Sequence, residues 1–204
     1  NERRLPSIVN SLNPDIICLT GDYINKIEAL DAVRRMVGEL KARYGIYAVR
    51  GNWDVAAASN VDIFMGLKVK MLMGEGERIA ISGNNIYIAG LDVNDDSALP
   101  QALATRARDD FTILLFHYPD LIEDLKGYDI DLYLSGHTHG GQVALPFYGA
   151  VLTFSKYGKK YERGLHRVGE TLLYVNRGIG TEGLPIRFLS RPEVTLFEII
   201  GKGK

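Results

Sequence analysis

Between residues 15 and 49 an apolar run, an amphipathic stretch and a second apolar run follow one another, and that order leaves few folds open. Residues 5–12 read as the end of a helix that Pro14 cannot continue. Residues 15–20, Asp-Ile-Ile-Cys-Leu-Thr, therefore start afresh as a strand, apolar along its length as expected for one covered on both faces. Ile27, Leu30, Val33, Val37 and Leu40 then recur every three or four residues, the period of a helix with one apolar face, and Gly45 follows as its stop. Residues 46–49 form the next strand. A strand, a helix and a strand joined this closely pack as a parallel pair with a right-handed crossover.

The rest of the chain adds strands faster than helices. Residues 78–81 and 86–89 flank Ser82-Gly83-Asn84-Asn85, whose turn residues predict a hairpin. Further strands are expected over 111–116, 131–134, 165–168, 172–175 and 194–199, with a helical stretch around 120–125. No repeat, low-complexity tract or linker interrupts this pattern. Residues 1–204 thus read as a single α/β domain with two sheets packed between helices.

Composition removes several function classes. With 46% hydrophobic and 24% charged residues, and 24 Lys and Arg against 25 Asp and Glu for a net charge of −1, the chain is globular in type and not disordered. The absence of a Lys/Arg run leaves no electrostatic footprint for a long nucleic acid, while a small phosphate ester remains an open partner. Cys18, the one cysteine, has no internal disulfide partner and reads as a small core residue. No stretch approaches the roughly 18 uncharged apolar residues of a membrane span, so the chain as given reads as soluble. It begins at Asn1 rather than Met, and a natural N-terminus that was removed or trimmed is the expectation.

Four short motifs fall where a strand ends and a loop begins: Gly21-Asp22, Gly51-Asn52, His117 and Gly136-His137-Thr138-His139. Ligand sites of α/β proteins gather in such loops. Gly-Asp and Gly-Asn alone are ordinary turn signals, and a lone His117 is compatible with a satisfied strand-end ring. Two histidines two positions apart, followed by Gly140-Gly141-Gln142, are harder to assign to packing and point to a metal. Two divalent ions about 3.5–4 Å apart can share a carboxylate and a hydroxide that attacks phosphorus in line. Asp22 suits the bridge, because each carboxylate oxygen can reach a different ion. Imidazole favours zinc, iron or nickel, and carboxylate or amide oxygen favours manganese, so the mixed set indicates a transition metal without choosing one.

In order and spacing these motifs resemble the calcineurin-like metallophosphoesterase family, whose metal ligands run Asp-x-His, Gly-Asp, Gly-Asn-His-Asp/Glu, a lone His and Gly-His-x-His. The resemblance implies a four-layer α/β/β/α sandwich of two mixed sheets and a binuclear metal site. By position, Asp22 would bridge both ions, Asn52, His117 and His137 would complete one set, and His139 would serve the other; Asp22, Asn52 and His117 form the implied catalytic set. The stretch 175–188, Val-Asn-Arg-Gly-Ile-Gly-Thr-Glu-Gly-Leu-Pro-Ile-Arg-Phe, resembles the C-terminal signature of a bacterial branch that includes membrane-associated phosphodiesterases and pyrophosphatases of UDP-diacylglucosamine. By itself the stretch is a Gly-rich loop in which the Gly178 amide and Arg177 or Arg187 are candidates to face a phosphate, and the resemblance implies that this loop lies beside the site. A membrane-associated or extracytoplasmic location follows from the same branch.

Two departures shape the expectation. No Asp-x-His precedes Gly21, so the first ion would lack two ligands and one ion per chain would be held tightly, by Asp22, Asn52, His117 and His137. The family's Gly-Asn-His becomes Gly51-Asn52-Trp53, and indole has an N–H donor but no proton to release at neutral pH, which predicts slow departure of poor leaving groups from a substrate near Trp53. The function implied is hydrolysis of a phosphodiester or pyrophosphate by metal-activated hydroxide, on a lipid-linked or nucleotide-sugar substrate. A nuclease or cyclic-nucleotide phosphodiesterase is the second enzymatic reading. A scaffold that keeps the fold without the chemistry is the alternative from another class. Finally, the apolar and aromatic residues 145–154, followed by Lys156, Lys159 and Lys160, suggest a patch for an anionic membrane surface, and His166 reads as a strand residue and not a ligand.

Overall fold

Alternating apolar residues in the central strands divide their side chains between two faces, and this builds the layers. In the computed structural model, which describes residues 4–201, helix α1 (Leu5–Ser11) leads into β1 (Ile17–Leu19), α2 (Leu30–Gly38), β2 (Ile46–Ala48), α3 (Asn52–Ala58) and β3 (Val69–Met71). The three strands form a parallel sheet in that order. The expected βαβ unit is there; its helix starts as a 3-10 turn at Ile27–Ala29 and buries Leu30, Val33 and Val37.

A larger, mixed sheet follows from β4 (Glu75–Ile81), β5 (Asn84–Gly90), β6 (Phe111–Leu115), β7 (Leu132–Ser135), β10 (Gly164–Val168) and β11 (Thr171–Val175), in the order β10-β11-β7-β6-β5-β4. The hairpin β4–β5 pairs antiparallel through the predicted turn, and β5, β6, β7 and β11 run parallel. A short helix α4 (Leu99–Ala102), a 3-10 segment at Pro119–Asp124 and a small hairpin of β8 (Ala144–Leu145) and β9 (Gly149–Ala150) complete the described chain.

Three apolar clusters separate four layers. Tyr47, Val49 and Leu72 meet Ile88, Ile113, Leu115, Leu132 and Leu134 between the two sheets. Ala48, together with Val33, Val37, Ile63 and Phe64, packs α2 and the segment after α3 on the outer face of the small sheet. Tyr87, Leu114, Tyr133 and Leu173 turn the opposite way, against α4 and the 3-10 segment. Cys18 packs against the inter-sheet cluster, where burial pushes its thiol up to about 12.

Residues 194–199 depart from expectation. They enter no sheet ladder among the described residues, and Val194, Leu196 and Ile199 stay exposed. Side-chain tethers replace the ladder: Asn176 Nδ2 donates to Thr195 Oγ1 at 3.1 Å and Phe197 packs edge-on to Tyr174. Among the described residues no helix is long and apolar enough to cross a membrane.

Candidate metal centre

Because β1 and β2 run parallel and end side by side, the loops that follow them touch. A Cβ on Gly51 would collide with Asp22 Oδ1, and one on Gly21 would stand 2.6 Å from the Gly51 nitrogen and 2.7 Å from His117 Nδ1. Both glycines are therefore demanded by close approach of backbones. Strands β6 and β7, in the other sheet, bring the remaining loops, and the Gly136 N–H donates to the His117 carbonyl at 3.1 Å. Asp22, His137 and His139 all hold positive φ, at 59°, 67° and 51°. Such conformations are costly for these residue types and persist where the surroundings impose them, commonly at functional sites.

What imposes it on Asp22 is a residue not singled out from the sequence. Asp54, fully enclosed in the first turn of α3, accepts four backbone N–H bonds. Its Oδ2 takes those of Asp22 (2.7 Å) and Gly51 (2.8 Å), and its Oδ1 those of Tyr23 (2.8 Å) and Ile24 (3.1 Å). Burial pushes the Asp54 carboxyl up to about 6, against the pull of these donors. An acidic residue three positions after Gly51, at the start of a helix, was the available signal. Its distant partners were not.

At the centre, electron pairs converge. His117 Nδ1 lies 2.7 Å from the Thr20 carbonyl, which only accepts, so in the neutral ring Nδ1 carries the hydrogen and Nε2 keeps its lone pair. That lone pair is 3.1 Å from both Asp22 Oδ2 and Asn52 Oδ1. By the same logic the Phe154 carbonyl, 3.3 Å from His137 Nε2, leaves the His137 Nδ1 lone pair 3.0 Å from Asn52 Oδ1. Asp22 Oδ1 accepts the Trp53 N–H at 2.9 Å, but Oδ2 is buried with no hydrogen-bond partner among the described residues. Burial raises the Asp22 carboxyl, whereas the His117 and His137 rings, when protonated, and the Trp53 N–H lower it below its ordinary value. Burial first, and the His117 ring second, depress His137, which keeps its ring ready to ligate at neutral pH.

Asp22, His117 and His137 thus present ligand atoms all within 4.8 Å of one another. A buried carboxylate oxygen facing imidazole lone pairs is unfavourable by itself and favourable around a cation, so the residues present fit a divalent metal with nitrogen and oxygen ligands.

Other expected site residues lie elsewhere. His139 is outside this triad, its Nδ1 3.4 Å from Arg187 Nη2 and its carbonyl accepting from Ser190 Oγ at 2.7 Å. Trp53 contributes its backbone N–H to Asp22. Arg177 does not offer a free guanidinium, because Nε and Nη2 are both engaged by the Glu193 carboxylate sixteen positions on. Arg187 is likewise taken up by the carbonyls of Arg177, Gly180 and Ser190. The loop does border the site: a Cβ on Gly178 would lie 4.0 Å from His139 Nδ1. His166 Nε2 donates locally, to the Arg163 carbonyl at 3.0 Å, as a strand residue.

Beside the lone-pair cluster opens a cleft of about 570 Å³, lined by Asn52, Tyr118, Asp120, His137, Phe154, Ser155, Lys156 and Glu182. Ser155 Oγ donates to Asp120 at 2.6 Å and fixes that wall.

Comparison with known proteins agrees with this geometry. The calcineurin-like phosphoesterase family matches residues 1–141. The metallophosphoesterase YkuE of Bacillus subtilis (strain 168) is 34% identical over 94% of this chain and 70% of its own length. A metallophosphoesterase of Aquifex aeolicus (strain VF5) is 32% identical over 93% and 74%. A transmembrane protein with metallophosphoesterase domain from Danio rerio is 30% identical over 95% of this chain but 47% of its own. Among solved structures, the Haemophilus influenzae NAD nucleotidase NadN shares the fold at a TM-score of 0.59, with 16% identity over 87% of this chain and 44% of that one.

Proposed function

The chain belongs to the calcineurin-like phosphoesterase family, and from that membership we propose that Asp22, Asn52, His117 and His137 hold a divalent ion tightly for cleavage of a phosphodiester or pyrophosphate bond. As a metallophosphoesterase it is a hydrolase of phosphoric esters that works with divalent metal ions. The observation that carries the residue assignment is the buried Asp22 Oδ2, without a hydrogen-bond partner among the described residues, beside imidazole lone pairs. When bound, the ion supplies Lewis acidity toward phosphoryl oxygen and lowers the pKa of water toward about 7. The chain's own part is orientation. The Thr20 and Phe154 carbonyls aim the two imidazoles, while Trp53 and Asp54 aim Asp22. His139, near Gly178, serves a second and weaker ion in this reading.

Charge in the cleft bears on the substrate. Lys156 offers one cation, whereas Asp120 and Glu182 offer two carboxylates, which disfavours a doubly charged monoester relative to a singly charged diester. The cleft volume suits a nucleotide-sugar or a lipid-linked head group. With added Mn²⁺, hydrolysis of bis-p-nitrophenyl phosphate is expected to exceed that of p-nitrophenyl phosphate. No rate above the metal-only blank on either would overturn the proposal.

Trp53, where the family pattern has histidine, sharpens the leaving-group expectation. General acid catalysis is worth about 10²–10⁴-fold. Trp53→His is expected to raise kcat/KM on a dialkyl phosphodiester by about tenfold or more and to leave the nitrophenyl diester nearly unchanged. Equal gains on both would count against a missing proton donor.

A further inference from the structure

Two segments beside the metal ligands carry exposed apolar side chains next to the cleft. At the tip of the β8–β9 hairpin Phe147 is completely exposed, with Tyr148, Leu152 and Phe154 more than half exposed. In the loop after β11, Leu184, Ile186 and Phe188 are exposed to a similar degree. Backbone and side-chain bonds stitch the segments into one surface. Gln142 Nε2 donates to the Glu182 and Leu184 carbonyls, each at 2.9 Å, and its Oε1 accepts from the Glu182 N–H at 2.7 Å. The Ala144 N–H donates to the Phe188 carbonyl at 2.9 Å.

Charge separates this surface from the rest of the chain. Residues 142–191 carry eight Lys and Arg against three Glu, in a chain whose total is −1, so the remainder holds sixteen against twenty-two. Lys156, Lys159 and Lys160 are exposed, Lys160 in an ion pair with Glu123, which leaves Lys156 and Lys159 as the cations nearest the apolar segments. The Lys159 ammonium sits 2.8 Å from the centre of the Tyr148 ring and donates to the Tyr148 carbonyl, which places a cation at the hairpin tip.

We propose that segments 145–154 and 184–189, with the lysines beside them, form one docking face for an anionic lipid surface. Aromatic side chains beside lysines fit the head-group level, where rings settle and ammonium groups meet anionic lipid. A second copy of the chain fits less well, since lysine is depleted in protein–protein interfaces. Docking would have a direct consequence for access. Phe154 and Glu182 belong to the docking segments or the stretch between their ends, and both line the cleft, so the opening would face the head groups.

The test is co-sedimentation of the 204-residue chain with vesicles of phosphatidylcholine alone and of phosphatidylcholine mixed with phosphatidylglycerol. Binding to the mixed vesicles only is expected. Lys159→Glu should weaken it about fivefold or more, from the usual contribution of one basic residue at such a surface. Phe147→Ser combined with Leu184→Ser should abolish it, with the circular dichroism spectrum and bis-p-nitrophenyl phosphate hydrolysis unchanged. The proposal is overturned if a chain with a folded spectrum ignores the anionic vesicles, if the substitutions leave binding intact, or if light scattering shows a dimer that the double substitution splits. Because binding is read without turnover, its result stands or falls separately from the catalytic proposal.

Discussion

Asp22→Asn is expected to lower phosphodiester hydrolysis by roughly 10³-fold while leaving the melting temperature of the metal-free chain unchanged or higher. The magnitude follows from a metal contribution of several kcal/mol at about 1.4 kcal/mol per tenfold. The sign of the stability effect follows from the site. Oδ1 would still accept the Trp53 N–H, and an amide in place of Oδ2 would donate toward the lone pairs now opposed by a buried, partnerless oxygen. Steady-state kinetics and thermal unfolding in chelator read both quantities. A variant that melts lower and keeps its activity would mark Asp22 as a structural residue and sink the metal assignment.

Asp54→Ala should have the opposite profile, a loss of stability of about 3–5 kcal/mol and of about 10 °C in melting temperature. Removing the carboxylate leaves the N–H groups of Gly51, Asp22, Tyr23 and Ile24 without their acceptor. Groups stranded in this way cost about 1–3 kcal/mol each, reduced by whatever water can reach them. Metal affinity should fall by about 10–100-fold, as it does when the residues behind a ligand are changed. Asp54→Asn, which keeps one acceptor oxygen, should fall between. Thermal unfolding and metal titration measure the two effects; an unchanged melting curve for Asp54→Ala would mean that the four donors find other partners.

These two aspartates show what could be read from the sequence and what could not. Asp22 was legible because its motif sits at a strand end whose apolar run is unmistakable, and His117 and His137 were legible for the same reason. Asp54 was hidden because three of its four donors lie some thirty residues away in another loop. Periodicity found α2, β1, β2 and the β4–β5 hairpin, but not α3, whose Asn-Trp-Asp-Val-Ala-Ala-Ala has no long apolar period. Residues 194–199 have the composition of a strand, yet a strand exists only through a partner's backbone, which composition does not reveal. Arg177 looked free because Glu193 is distant in sequence and adjacent in space.

The proposed ligands are split between sheets: Asp22 and Asn52 follow β1 and β2 of the small sheet, and His117 and His137 follow β6 and β7 of the large one. An ion held by all four would act as a rivet through the seam where the sheets meet. Pulling the layers apart would break its coordination, so the ion would resist shear between them and add about 2.7 kcal/mol at a hundred times its dissociation constant. Its rate of exchange would then report how often the two halves of the sandwich part.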